Sequence, residues 1–163
     1  MYVMKKKLSI AFMLSFIFTL TVFTGCEEEN KDFEDMDVTA VKVLQEPTDN
    51  KQVDLKSSGN LVFKWDEAEA RDGSSLVYYD ILFDKAGGNF SEPVYVQAAD
   101  NKSLAASASL TPASLDEIAE AAGAEAGCEV TLTWTVRTNR GVKTALAEQS
   151  RTLTIKRKAT SKK

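Results

Sequence analysis

Histidine is absent from this chain of 163 residues, and only two cysteines occur in it. Without imidazole there is no histidine general base, no Ser-His or Cys-His pair and no histidine metal ligand. A G-x-S-x-G elbow and a glycine-rich phosphate loop are also missing, and the two cysteines do not stand at metal-ligand spacing. Acids outnumber bases, 24 to 20, so the cationic face that phosphate binding requires is not available and nucleic acid is not an expected partner. The longest apolar run, Leu8 to Phe23, is about 16 residues, shorter than the roughly 20 of a membrane-spanning helix. These absences argue against an enzyme, against a bound cofactor or metal, and against an uncleaved helical anchor.

What is present starts at the amino terminus. Lys5, Lys6 and Lys7 precede the apolar run, which is the basic and apolar order of a secretory signal. Small residues Thr24 and Gly25 then lead into Cys26, and the stretch "TVFTGC" resembles a bacterial lipoprotein signal, with Phe23 where many such signals carry Leu. The resemblance implies that residues 1–25 are removed and that Cys26 is the lipidated first residue of the mature chain. Several hydrocarbon chains on one cysteine suffice for stable membrane attachment. Glu27, Glu28 and Glu29 follow at once. That acidic patch resembles the export signal of surface lipoproteins in Gram-negative bacteria, with a plain solvated acidic tether over residues 26–38 as the alternative.

Residues 26–163 number 138 and carry 17 bases against 24 acids, a net charge of −7. One domain of ordinary size is expected. Cys128, in "AGCEVTLTW", has no partner once Cys26 is acylated, so it reads as a small buried apolar residue at the mouth of a strand.

Period-two alternation recurs along the domain. "NLVFKW" sets Leu61, Phe63 and Trp65 on one face. "LVYYDILFD" sets Val77, Tyr79, Ile81 and Phe83 against Tyr78, Asp80 and Leu82. "EVTLTWTVRT" sets Val130, Leu132, Trp134 and Val136 inward. Weaker candidates at 38–45, 93–98, 107–110 and 151–157 bring the total to about seven strands. "RDGSS", "KAGGNFSEP" and "TNRG" supply turn residues between them. Seven short strands predict an all-β antiparallel sandwich of the immunoglobulin or fibronectin type III kind. The segment 111–127 interrupts the pattern: it is rich in Ala and Glu, and Ser114 with Glu117 fits a capping box. Its residues Leu115, Ile118, Ala119 and Ala122 share one side, predicting a short helix that ends near Gly123.

The order of these elements resembles the N-terminal domain of SusE-type outer-membrane lipoproteins of starch-utilisation-like systems. The shared features are the F-x-W strand at Phe63 and Trp65, the Y-x-I-x-F-D strand ending at Asp84, and the G-x-F-x-x-P turn from Gly88 to Pro93. The short helix, the W-x-V strand at Trp134 and the final R-x-L-x-I from Arg151 complete the match, over roughly residues 39–157. The resemblance implies an outer-membrane, surface-exposed accessory to glycan capture or import, with a SusC/SusD-like transporter complex or the polysaccharide itself as partner. In that family the glycan-binding surface belongs to further C-terminal domains, which do not follow here, so it transfers to no residue of this chain. The chain closes with a basic tail, 158–163.

Four aromatic residues remain as candidates for glycan contact, because a pyranose packs its CH groups on an aromatic face. Trp65 and Trp134 lie on the apolar faces of their strands and read first as core. Tyr78 and Tyr95 fall on the opposite parity and are the better candidates for exposure. Asp66, Glu67, Glu69 and Asp72 crowd one loop, which raises calcium binding or paired-carboxylate catalysis. Their spacing matches no calcium-loop signature, and a solvated loop is the expectation. Three readings stay open: an accessory to glycan capture, a purely structural or adhesive module, and, last, an enzyme or metal-dependent factor.

Overall fold

A computed structural model describes residues 37–73 and 76–159. Cys26, the signal segment and the acidic run that follows it lie outside the described residues. Nine strands form two sheets packed face to face. The smaller sheet has the order β1 (Leu44–Glu46), β3 (Leu61–Trp65) and β6 (Ser107–Leu110). The larger runs β2 (Lys51–Asp54), β9 (Arg151–Lys156), β7 (Glu129–Arg140), β4 (Tyr78–Lys85) and β5 (Tyr95–Ala98), with β8 (Lys143–Leu146) paired to β7 as well. This is the all-β sandwich that the alternation predicts.

The inward positions are those with the right parity. Phe63, Phe83 and Trp134 are fully buried where the two sheets meet, with Phe63 edge-on to Trp134 at 4.9 Å between centroids and to Phe83 at 5.7 Å. Edge-to-face geometry lets the electropositive rim of one ring meet the electronegative face of another. Trp65 packs beside Tyr79, whose hydroxyl accepts the Ala68 N–H at 3.0 Å and so ties the loop after β3 to β4.

Two strands beyond the expected seven are polar or short. β2 exposes three of its four side chains and buries only Val53, so no periodicity betrays it. It pairs with β9 in parallel, the exception to the antiparallel expectation. Pro47 has no N–H to continue the ladder of the smaller sheet, and the chain crosses there to the larger one. β8 exists because the 12-residue β7 outlasts β9: residues 129–134 of β7 pair with β9 and residues 137–140 with β8. Gly141, with φ of 58°, and Val142 turn β7 into β8. A left-handed first turn residue suits the twist of a two-residue hairpin.

The strand expected over 38–45 is shorter. Val38, Val41 and Leu44 turn inward at a spacing of three, not two, and only Leu44 onward forms a ladder. The helix α1 (Pro112–Ala121) carries the chain from the smaller sheet to the larger and buries Leu115, Ile118 and Ala119 as expected. Its cap differs. Thr111 accepts the Ser114 N–H at 3.1 Å, and Pro112 occupies the first turn, where a missing N–H costs nothing. Arg157, just past β9, holds α1 in place: it donates to both Asp116 carboxylate oxygens at 2.8 and 3.0 Å and to the Ala124 carbonyl at 2.6 Å.

Candidate functional site

The outer face of the larger sheet collects the side chains that strand parity turns away from the core. Cross-strand register brings Tyr78 opposite Asn139, Asp80 opposite Arg137, and Leu82 opposite Thr135. Beyond them, Arg137 faces Leu146 on β8, and Leu82 faces Val96 on β5. Asp80 Oδ2 accepts from Arg137 Nη2 at 2.8 Å and from Asn139 Nδ2 at 2.7 Å. This network holds two polar side chains in fixed positions beside the Tyr78 ring, while Tyr78, Val96 and Leu146 are exposed around it. The arrangement offers one aromatic face, three hydrogen-bonding side chains and scattered aliphatic groups.

The four aromatic candidates separate. Trp65 and Trp134 are buried, and the indole Nε1 of each has no hydrogen-bond partner among the described residues. Tyr78 is exposed on the outer face, as its parity predicts. Tyr95 is not: it pairs with Phe83, packs half-buried against the core, and donates its hydroxyl to Glu117 Oε2 of α1 at 3.4 Å. Val94 and Val96 on either side of it suggested the reverse phase, but at a sheet edge the register to β4 sets parity, and Val96 is the residue left outside.

Cys128 is exposed rather than buried. It precedes β7 in a turn closed by its own N–H to the Glu125 carbonyl at 3.0 Å, and its carbonyl accepts from the Arg157 N–H at 2.9 Å. The backbone is thus fixed before the inward alternation begins. The acidic loop does not converge either. Asp66 accepts from Gln45 Nε2 at 2.6 Å while Asp72 pairs with Arg140, and no group of three or more potential metal ligands occurs among the described residues.

The Asp80–Arg137–Asn139 network is not among the candidates that the sequence pattern offers. Its signal was available, since polar residues on the outward parity of two central strands ask for a partner, but the pairing needs the β4–β7 register. A further group of contacts lies at the sheet end near the β7–β8 turn. Asp37 pairs with Arg71 at 3.4 Å and with Lys143 at 3.5 Å, and Val38 bridges Ala70. The Thr39 N–H reaches the Glu69 carbonyl at 2.9 Å, and Thr138 Oγ1 donates to the Thr39 carbonyl at 3.0 Å.

These features define a β-sandwich module whose larger sheet carries, on its outer face, an exposed tyrosine beside a fixed polar network. Residues 27–137 match the family model of the SusE outer membrane protein. The chain belongs to that SusE family and is an outer-membrane protein. No curated protein matches it. Among the described residues no helix is long and apolar enough to cross a membrane.

Proposed function

We propose that the chain is a surface lipoprotein accessory to glycan capture or import, and that its sandwich acts as a protein-contact module. In this reading residues 1–25 are a signal peptide, Cys26 carries the lipid, residues 26–38 are the tether, whose last two residues, Asp37 and Val38, are held to the sandwich, and residues 158–163 are a basic tail. Its partner is a SusC/SusD-like transporter complex. The carrying observation is the character of the outer sheet face: a single exposed tyrosine among Val96, Leu146 and the Asp80–Arg137–Asn139 network. Separate exposed apolar side chains around a fixed polar network suit the mixed contacts of a protein partner, whereas polysaccharide binding favours several rings in a row.

A second reading rests on Tyr78 itself. An exposed ring next to a carboxylate, a guanidinium and an amide is the minimal set for one sugar residue, so direct glycan contact at Tyr78 is the alternative. Tyr95 would add to it only from the sheet edge, and Trp65 or Trp134 only by leaving the core. Affinity electrophoresis of residues 27–163 through gels containing starch, plant and host polysaccharides separates the two. Unretarded migration in every gel is expected, together with photo-crosslinking from position 78 to the transporter complex in cells. Retardation that disappears in Tyr78→Ala would replace the protein-contact reading with glycan capture.

A further inference from the structure

We infer that the β7–β8 turn end of the sandwich lies against the lipid surface of the outer membrane, with Val142 and Leu76 as its apolar contact. The inference rests on the proposed anchoring at Cys26.

Three observations carry it. The chain enters the sandwich at this end, where Asp37 is held between Arg71 and Lys143 and the next residues are bonded to the loop at 69–71. A lipidated Cys26 stands 11 positions before Asp37, a span of at most about 40 Å when fully extended. β7 alone has 12 residues and is itself about 40 Å long. The far end of the sandwich would therefore reach the surface only with the tether drawn out completely along the body. The near end needs no such extension.

The second observation is the distribution of exposed apolar side chains. Val142 is 78% exposed and Leu76 55%. Continuing the β4–β7 register past Tyr78 and Asn139 sets Leu76 opposite the turn that carries Val142. The third is the contrast with the other end, where Asp54, Lys56, Lys156 and Lys158 line a recess and none of the large exposed apolar residues occurs in 51–58, 123–130 or 151–159. A charged end favours water and an apolar tip favours the interface. Arg71 and Lys143 beside the tip are each paired with Asp37, so the contrast between the two ends rests on the apolar side chains.

The test uses the lipidated full chain in phosphatidylcholine vesicles. Cys128→Ser removes the exposed thiol, and a polarity-sensitive fluorophore is attached to Val142→Cys or, at the far end, to Lys56→Cys. Flotation with the vesicles reports anchoring, and quenching by a headgroup spin label reports contact. The expected result is flotation of both, with quenching at position 142 roughly threefold or more above that at 56, as for side chains seated at the headgroup boundary, and a return to the level of 56 in Leu76→Asp. Flotation with equal quenching at the two positions would overturn the orientation and leave the anchoring intact. Failure of the processed chain to float would remove the anchoring and the orientation with it. Protection of 142 in native outer membranes but not in lipid vesicles would assign the tip to a membrane protein and overturn the lipid contact.

Discussion

Replacing Trp134 tests whether this ring is structural or presents itself to a sugar. The side chain is fully buried, meets Phe63 edge-on at 4.9 Å, and leaves its Nε1 without a hydrogen-bond partner among the described residues. Trp134→Ala empties the centre of the sandwich and should cost about 4 kcal/mol, the middle of the range for aromatic truncation in a core. For a domain of this size that corresponds to a fall in Tm of roughly 12–24 °C. Trp134→Phe behaves differently. It gives up the indole's second ring, worth about 1–2 kcal/mol as lost contact and residual cavity, but it also removes a buried unpaired N–H, whose desolvation costs about 1–3 kcal/mol. The two nearly cancel, and a net change within about 1 kcal/mol is expected. Urea unfolding followed by far-UV circular dichroism measures both, with an unchanged m-value as the check on two-state behaviour. Equal losses in the two variants would show that the N–H has a partner and refute the cancellation. A stable Trp134→Ala that had lost a glycan affinity would refute the core assignment altogether.

Three further outcomes follow from the same geometry. A Cβ on Gly88 would fall 2.2 Å from the Asp84 carboxylate, which accepts the Lys85 and Phe90 N–H groups at 2.8 and 2.9 Å; Gly88→Ala should therefore cost about 2 kcal/mol in chemical denaturation, the scale of a hydrogen bond to a charged group, and a neutral result would mean that the carboxylate does not organise this turn. Asp116 is held below the ordinary carboxylate pKa of 3.8, first by its hydrogen bond from Arg157 and then by that residue's charge; Asp49 is lowered chiefly by the Thr152 N–H and hydroxyl. Both contributions are complete above that ordinary value and are lost as pH falls through the lowered folded values, because the unfolded chain takes up protons first, so acid unfolding should become shallower below about pH 4 in Asp116→Asn, and an unchanged slope would exclude its participation. Arg151 donates to the carbonyls of Gln45 at 3.0 Å, Pro47 at 2.6 Å and Leu44; Arg151→Lys keeps the charge but loses the fork, and hydrogen exchange should accelerate across β1 while β7 stays protected, a uniform acceleration counting against a local clamp.

The strands with inward apolar alternation were legible without coordinates, because burial of one face imposes a period of two on whatever residues supply it. Phe63, Ile81, Phe83, Leu132 and Trp134 all occupy the core that this period assigns them. α1 was legible for the same reason, its buried Leu115, Ile118 and Ala119 following the helical period. The cap could be read too, since Pro112 marks the first turn and so Thr111 as the cap, but Ser114 with Glu117 offered a competing capping box.

Pairing decided the rest. β2 has one inward side chain and β8 is four residues long, so each exists by virtue of the neighbour whose backbone it satisfies. Tyr95 turned inward because β5 takes its phase from β4, and Cys128 remained outside because its turn closes before β7 begins. The face that gathers Tyr78, Asp80, Arg137 and Asn139 draws on strands some sixty positions apart. Local hydrophobic period specifies which side of a strand is dry; which residues stand together on the wet side depends on long-range register, and no local pattern encodes it.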